Sequence, residues 1–529
     1  MQSAAEQTAD RTVLNETNAI HTWDLADYSD YTTFQVNADK DTNQVFLYGC
    51  AKDGEPIEEL DCVAVQRGDR LVIHSDNTAR KVEFTYEALW EFSEIVYIGG
   101  KTKNDTITLN GTDSQDNFEM SQETFLADVH ERPGKTKTQE VVFETVTTSL
   151  SFTSCATVKM SGIRLVTIDS KEAQGYARHD WFRFVKFGTT YDLIGGDKEG
   201  DGPDFLTFSE ATSAVKLDMG KTTAQSVLAG QKGKLCLHGD IDSISGSCFN
   251  DKITTAANVT QINGGGGSDT VTLVGNENTH VSLNLVGGSQ KVKGKGSGVF
   301  NINIGDLAAM LPGDGTRSTI NMSSVKSGSM NLEAYGNNIQ VTGTKGDDLI
   351  VITGDNAKVQ GNDGNDYITI EGVNARVAGG KGNDVIELAL SRGKCILDGG
   401  DGNDILFGGS GDDVLKARSG SNIMFGNTGA DKLTGGRDND LLIANSTSKI
   451  GTTEVDFNKL LELWSAGMAK EVVEMLGEAS VADHEKDTLK RGGGIGNLFY
   501  ANTNLLGNDL DSVDYKLDKG DILLTDLDG

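Results

Sequence analysis

Apolar and polar residues alternate with a period of two in many short runs of this chain, among them 32–38 (TTFQVNA), 43–49 (NQVFLYG), 106–111 (TITLNG), 149–154 (SLSFTS), 270–275 (TVTLVG), 281–287 (VSLNLVG) and 300–305 (FNINIG). Such alternation predicts strands with one buried face. Between Gly399 and Ile443 the period changes to nine, as GGDGNDILF, GGSGDDVLK, ARSGSNIMF, GNTGADKLT and GGRDNDLLI. A unit of six turn residues and three strand residues cannot bury an apolar face alone, so it predicts a stack of copies. A helical period occurs over 454–479, where Phe457, Leu460, Leu461, Trp464, Met468, Val472, Met475 and Leu476 recur on one stripe. An open solenoid needs its end covered, and this segment is expected to cap it.

Within the nine-residue unit each position has a task. Glycines at the first, second and fourth places, as at Gly399, Gly408, Gly426 and Gly435, permit positive φ and close backbone approach. Asp404, Asp413, Asp431 and Asp440 occupy the sixth place, and Leu406, Leu415, Met424, Leu433 and Leu442 the eighth, where a short strand points inward. Carboxylates and carbonyls are hard oxygen donors, which suit calcium with its six to eight oxygen ligands. Zinc would call for nitrogen or sulfur, and magnesium for a stricter octahedron. A glycine-rich linker has no reason to hold an acid and an apolar residue in fixed phase, so the stretch is read as structure.

The same template recurs upstream as GTKGDDLIV from Gly343, GNDGNDYIT from Gly361 and GGKGNDVIE from Gly379, with Asp348, Asp366 and Asp384 eighteen residues apart. Eighteen is two units, so each coil has two sides, and over 343–384 one side carries the acid turn. From Gly399 both sides carry it, with Asn422 a weak rung and Ala417 and Arg418 where glycines belong. GSCFNDKIT from Gly246 and GGGGSDTVT from Gly264 are more distant copies that place Asp251 and Asp269 at the acid position. Asp105, Asp116 and Asp204 sit in less regular turns, where an ordinary structural turn explains them equally well.

In these units the chain resembles the RTX family, the hemolysin-type calcium-binding repeat proteins of bacteria; their nonapeptide is matched in full at Gly264, Gly379, Gly399 and Gly408. The resemblance implies a parallel β-roll with calcium between successive turns, ligated by the sixth-place Asp and by turn carbonyls, in a secreted or surface-attached protein. The segment after the repeats also resembles the closing segment of large bacterial surface proteins that carry them.

Composition fits: 78 acidic against 47 basic residues give a formal charge of −31, which bound calcium offsets in part. Nucleic acid is not an expected partner, and no eighteen-residue apolar stretch suggests a transmembrane segment. The N-terminus shows no basic or apolar leader, which leaves export by an uncleaved C-terminal segment or a trimmed leader as expectations. Six cysteines, Cys50, Cys62, Cys155, Cys236, Cys248 and Cys395, depart from exporter-type RTX cargo and allow either disulfides or buried thiols. There is no GxSxG elbow, and HEKDT from His484 lacks the second histidine of a zincin; no catalytic residues are nominated.

The resulting expectation is an all-β parallel β-solenoid (β-roll or β-helix) with calcium-binding turns. It divides into a β-rich N-terminal region at 1–95, an irregular solenoid at 96–340, the RTX-type roll at 341–445 and a helical cap and tail at 446–529. Its expected cofactor is calcium and its expected place is outside the cell or on its surface. Other surface proteins, surface polysaccharide or copies of itself are the compatible partners. The role is structural or adhesive; a calcium-assembled surface-layer or matrix subunit and a repeat-bearing secreted enzyme are the alternatives.

Overall fold

The computed structural model describes most of residues 19–525. The segments 1–18, 100–104, 111–115, 170–179, 195–203, 306–316, 446–456, 477–485, 502–511, 515–521 and 526–529, with shorter breaks, lie outside the described residues. Two compact units are formed: Met1–Asp204 with Thr223–Ser226 and Gln231–Asp240, and Phe205–Thr222 with Val227–Gly230 and Ile241–Gly529. Neither unit ends at residue 95 or residue 340, the boundaries expected from the repeat pattern.

The first unit is already a solenoid. Ile20–Asp24 pairs in parallel with Arg70–His74, which pairs in parallel with Glu94–Ile98. A second parallel stack runs through Thr33–Asp39, Lys81–Phe84, Asp105–Asn110, Ile163–Asp169 and Thr190–Ile194. Antiparallel hairpins interrupt it at Gln44–Ala64 and Asp116–Ser161, and these insertions hide the repeat from a fixed-period search. Among the described residues, Cys50 is not bonded to Cys62, nor Cys236 to Cys248.

In the second unit the two sides of the coil become regular. One sheet stacks Leu349–Thr353, Tyr367–Glu371, Val385–Leu388, Ile405–Phe407, Ile423–Phe425 and Leu441–Ile443 in parallel register. The facing sheet stacks Gln340–Thr342, Lys358–Asp363, Arg376–Lys381, Ile396–Asp401, Val414–Lys416 and Lys432–Thr434. The eighth-place residues Ile350, Ile368, Ile386, Leu406, Met424 and Leu442 are fully buried from one side and Leu397, Leu415 and Leu433 from the other. Each such side chain contributes roughly 1.5–3 kcal/mol through burial, but only because its neighbours above and below exist.

The helical segment is present, with its place corrected. It forms two short helices, α1 (Phe457–Ser465) and α2 (Ala469–Leu476), broken at Gly467, whose φ of 75° ends α1 with its N–H bonded to the Trp464 carbonyl. Leu460, Trp464 and Val472 pack on Ile405, Phe407, Ile423, Phe425, Leu441 and Ile443. These are seventh- and ninth-place residues on the outside of the sheet. The helices therefore cover a flank and not the open end. The stack continues beyond them through Thr488–Lys490 and Leu498–Ala501, paired in parallel with 432–434 and 441–443. The physical reason is visible in the repeats: 405–407, 423–425 and 441–443 are apolar at all three strand positions, so their outer face needs cover as well.

Candidate metal centre

The sixth-place side chains Asp348, Asp366, Asp384, Asp404, Asp413, Asp431 and Asp440 are all buried, as are Asp251 and Asp269. They form ladders. Along the main ladder the backbone N–H donates to Oδ1 of the equivalent residue one coil on: Asp348 to Asp366 at 2.9 Å, Asp366 to Asp384 at 2.9 Å and Asp384 to Asp404 at 3.0 Å; Asp269 donates instead to Gln290 Oε1 at 2.9 Å. The ladder passes through Asn422 without a gap, since Asp404 donates to its Oδ1 and its own Nδ2 donates to Asp440 at 2.8 Å; what changes at Asn422 is charge and not continuity. The second side begins at Cys395, whose N–H bonds Asp413 at 2.7 Å, and Asp413 in turn bonds Asp431 at 2.8 Å.

Two members were not legible in the sequence. Asp487 accepts from the Asp431 N–H at 2.7 Å and Asn497 from the Asp440 N–H at 2.9 Å. Both are fully buried. They lie 56 and 57 residues downstream of their partners, past the helical insertion, so no period points to them. The fifth place carries an exposed ladder running the other way: Asn365, Asn383 and Asn403 each donate their N–H to the preceding coil's Asp347, Asn365 or Asn383 side chain. Asn-Asp in the repeat is thus a pair of opposed hydrogen-bond ladders.

The second carboxylate oxygen, Oδ2, separates two kinds of turn. In Asp251, Asp348, Asp413 and Asp440 it accepts the N–H of the second-place residue, from Ser247, Thr344, Gly409 and Gly436 at 2.6–2.7 Å. In Asp269, Asp366, Asp384 and Asp404 it is buried with no hydrogen-bond partner. Backbone conformation decides which. The second-place residues Gly265, Asn362, Gly380 and Gly400 have φ of 79°, 89°, 134° and 109°, and this turns their N–H away from the carboxylate.

The first-place glycines need correction. Gly343, Gly361, Gly379, Gly399, Gly408, Gly426 and Gly435 are absent from the positive-φ positions; what they supply is room. A Cβ on Gly343, Gly379, Gly399 or Gly435 would lie 2.2–2.3 Å from the Oδ2 of the acid five residues on, and on Gly361 2.0 Å from Asp366 Oδ2 and 2.6 Å from the Gly379 carbonyl. At Gly408 and Gly426 the nearest atom is the carbonyl oxygen of the next coil, at 2.3 and 2.2 Å. The carboxylate folds over a bare backbone. Gly361→Ala is therefore expected to cost about 1–3 kcal/mol through overpacking and to raise the calcium needed to fold the roll. An unchanged thermal midpoint in calcium would refute this.

Burial raises the pKa values of these groups, making them weaker acids, and stacking adds to it. Asp366 and Asp404 are pushed up to about 8, first by burial and then by the acids of neighbouring coils. Burial likewise carries Asp269 and Asp440 to about 7 and Asp384 to about 6, and raises Asp251, Asp348 and Asp413. Orphaned buried oxygens in a column of like charges fit a hard divalent cation. Among the described residues no three acidic, histidine or cysteine side chains converge on one point, so an ion here would take its remaining ligands from turn carbonyls. Outside the repeats the acids are differently used. Asp105 accepts from the Arg80 N–H at 2.9 Å and the Tyr97 hydroxyl at 3.0 Å, and Asp204 from the Asp180 N–H at 3.1 Å; the Asp116 side chain lies outside the described residues.

A parallel stack of nonapeptide turns with two short strands per coil is a β-roll. A family model for the RTX calcium-binding nonapeptide repeat matches residues 396–415 and 417–446 in four copies, so this section of the chain carries RTX repeats. No curated protein matches the chain. No helix among the described residues is long and apolar enough to cross a membrane.

Proposed function

We propose that this is a calcium-stabilised, extracellular or cell-surface solenoid with a structural or adhesive and non-enzymatic role. The carrying observation is the run of buried, partnerless carboxylate oxygens at Asp366, Asp384 and Asp404; with Asp269 these residues would hold the ions, together with turn carbonyls. Bound calcium supplies charge compensation, and the chain's residues supply register, since each acid also fixes the next coil through Oδ1. The extracellular part of the reading is supported by the RTX repeats, which are typical of secreted proteins. The assembling surface-layer reading draws support from Leu349 and Tyr367, which are 44% and 39% exposed and directly paired across the sheet.

The test is a calcium titration of Asp366→Ala and Asp105→Ala, followed by circular dichroism and light scattering. Asp366→Ala is expected to raise the calcium midpoint several-fold. Asp105→Ala, whose two oxygens already have protein donors, is expected to lower stability without moving that midpoint. Equal midpoints would remove the reading, and scattering that rises with calcium would favour the assembling form.

A further inference from the structure

The two flat sides of the second unit differ in charge. Lys291, Thr319, Gln340, Lys358, Arg376, Ile396, Val414 and Lys432 follow one another strand by strand in register along the outward column of one sheet. Two residues on, the next outward column adds Lys293 and Lys416. Lys291, Lys293, Lys358, Arg376, Lys416 and Lys432 are all exposed. The acid in these columns, Asp398, is held by Lys416 at 2.8 Å and Arg418 at 3.5 Å. On the facing sheet, the strands Leu349–Thr353, Tyr367–Glu371 and Val385–Leu388 carry Glu371 and Glu387 and no basic residue. A cationic side is not what a chain of charge −31 produces by default.

The cationic side is also shaped. A shallow groove of about 380 Å³ crosses it, lined by Gln340, Lys358, Gln360, Arg376, Asp398 and Lys416 among others. Ala378, a small residue between Gln360 and Asp398 in register, is part of its lining. Lys358 and Arg376 sit on adjacent strands and have no ion-pair partner among the described residues.

We infer that this groove binds an acidic polysaccharide of the uronate type, laid along the solenoid axis. This deepens the adhesive reading and rests on it. Adjacent strands are about 4.8 Å apart, comparable to one sugar ring, so two neighbouring carboxylates of such a polymer meet Lys358 and Arg376 on adjacent strands. The Gln340 and Gln360 amides and the Asp398 carboxylate face the hydroxyls between them, and the aliphatic stems of Lys358 and Arg376 offer the ring faces an apolar contact. A nucleic acid is a poorer match, because its dense phosphate charge meets the negative field of the whole chain while its bases find no aromatic platform in the groove.

The experiment uses the full chain in saturating calcium, with its fold checked by circular dichroism. Soluble oligouronates are titrated calorimetrically, beside a neutral oligosaccharide, a single-stranded oligonucleotide and anionic lipid vesicles. Oligouronate binding that falls with salt is expected, weakened roughly tenfold in a Lys358→Ala, Arg376→Ala double variant and unchanged in Lys470→Ala, whose cation lies on α2. Absence of oligouronate binding by the folded, calcium-loaded protein would overturn the proposal and leave the calcium reading standing. Binding indifferent to the double variant, or equal binding of oligonucleotide or vesicles, would overturn it as well. Because both substitutions are on exposed outer positions, the double variant is expected to keep its calcium midpoint, and this separates a lost ligand from a lost fold.

Discussion

Chelating calcium is expected to abolish the β signal of residues 343–443 and expand that segment, while residues 20–194 keep their amide protection from hydrogen exchange. The reasoning is a balance of magnitudes. A buried carboxylate without a partner costs several kcal/mol, and Asp366, Asp384 and Asp404 place three such oxygens on consecutive coils. An ion that binds the folded stack and not the unfolded chain adds about 2.7 kcal/mol per site at a hundred times its dissociation constant. Three sites add about 8 kcal/mol, which falls within the whole stability of a typical domain, about 5–15 kcal/mol. Removing them therefore reverses the sign of folding for the roll. In the first unit, the Asp105 oxygens accept from Arg80 and Tyr97, so that acid turn does not need a cation to satisfy it. Metal analysis of the folded protein is expected to find roughly three to six ions per chain. Unchanged circular dichroism and hydrodynamic radius in chelator would sink the prediction, and protection lost equally from residues 20–194 would show that the dependence is not local to the turns.

Much of the roll was legible because its physics is periodic. An inward residue at the eighth place and an acid at the sixth recur wherever the turn is built, and the eighteen-residue coil follows from their spacing. Three features were not legible, each for a reason. The first unit hides its parallel stack behind the Gln44–Ala64 and Asp116–Ser161 hairpins, which lengthen some coils and not others. Asp487 and Asn497 continue the ladders from beyond α1 and α2, where local pattern carries no memory of register. The division into turns with a satisfied and an orphaned carboxylate depends on φ at the second place, and Gly380 and Gly409 are the same letter with different backbones. The helices were visible by their stripe, yet their position on the flank depended on the seventh and ninth places of 405–443, which the repeat alone marks as outward.

In chelator, the roll is expected to be most stable near pH 4, about the unfolded value of its acids, and to lose stability steadily toward pH 8, a trend that bound calcium is expected to flatten or invert. The sign follows from linkage. The folded-state values of Asp384, Asp269, Asp440, Asp366 and Asp404 are raised to between about 6 and about 8, above the ordinary value of 3.8 that they regain on unfolding. Between those limits the folded roll holds more protons than the unfolded chain, so stability falls as pH rises through the window and levels off above it. Each unit of upward shift corresponds to about 1.4 kcal/mol, so a few such groups can unfold the metal-free roll. A proton, in effect, substitutes for the cation at low pH. Calcium requires the ionised form, and its presence removes the penalty and flattens or inverts the slope. General repulsion in a chain of charge −31 has the same sign, so a control is needed. Asp366→Asn with Asp404→Asn is expected to flatten the slope in chelator, because the substituted side chains no longer titrate. Asp363→Asn, which replaces an exposed acid whose value Lys381 lowers, is not. Thermal midpoints that rise with pH in chelator, or a slope that the double variant leaves untouched, would show that these buried carboxylates do not control the roll.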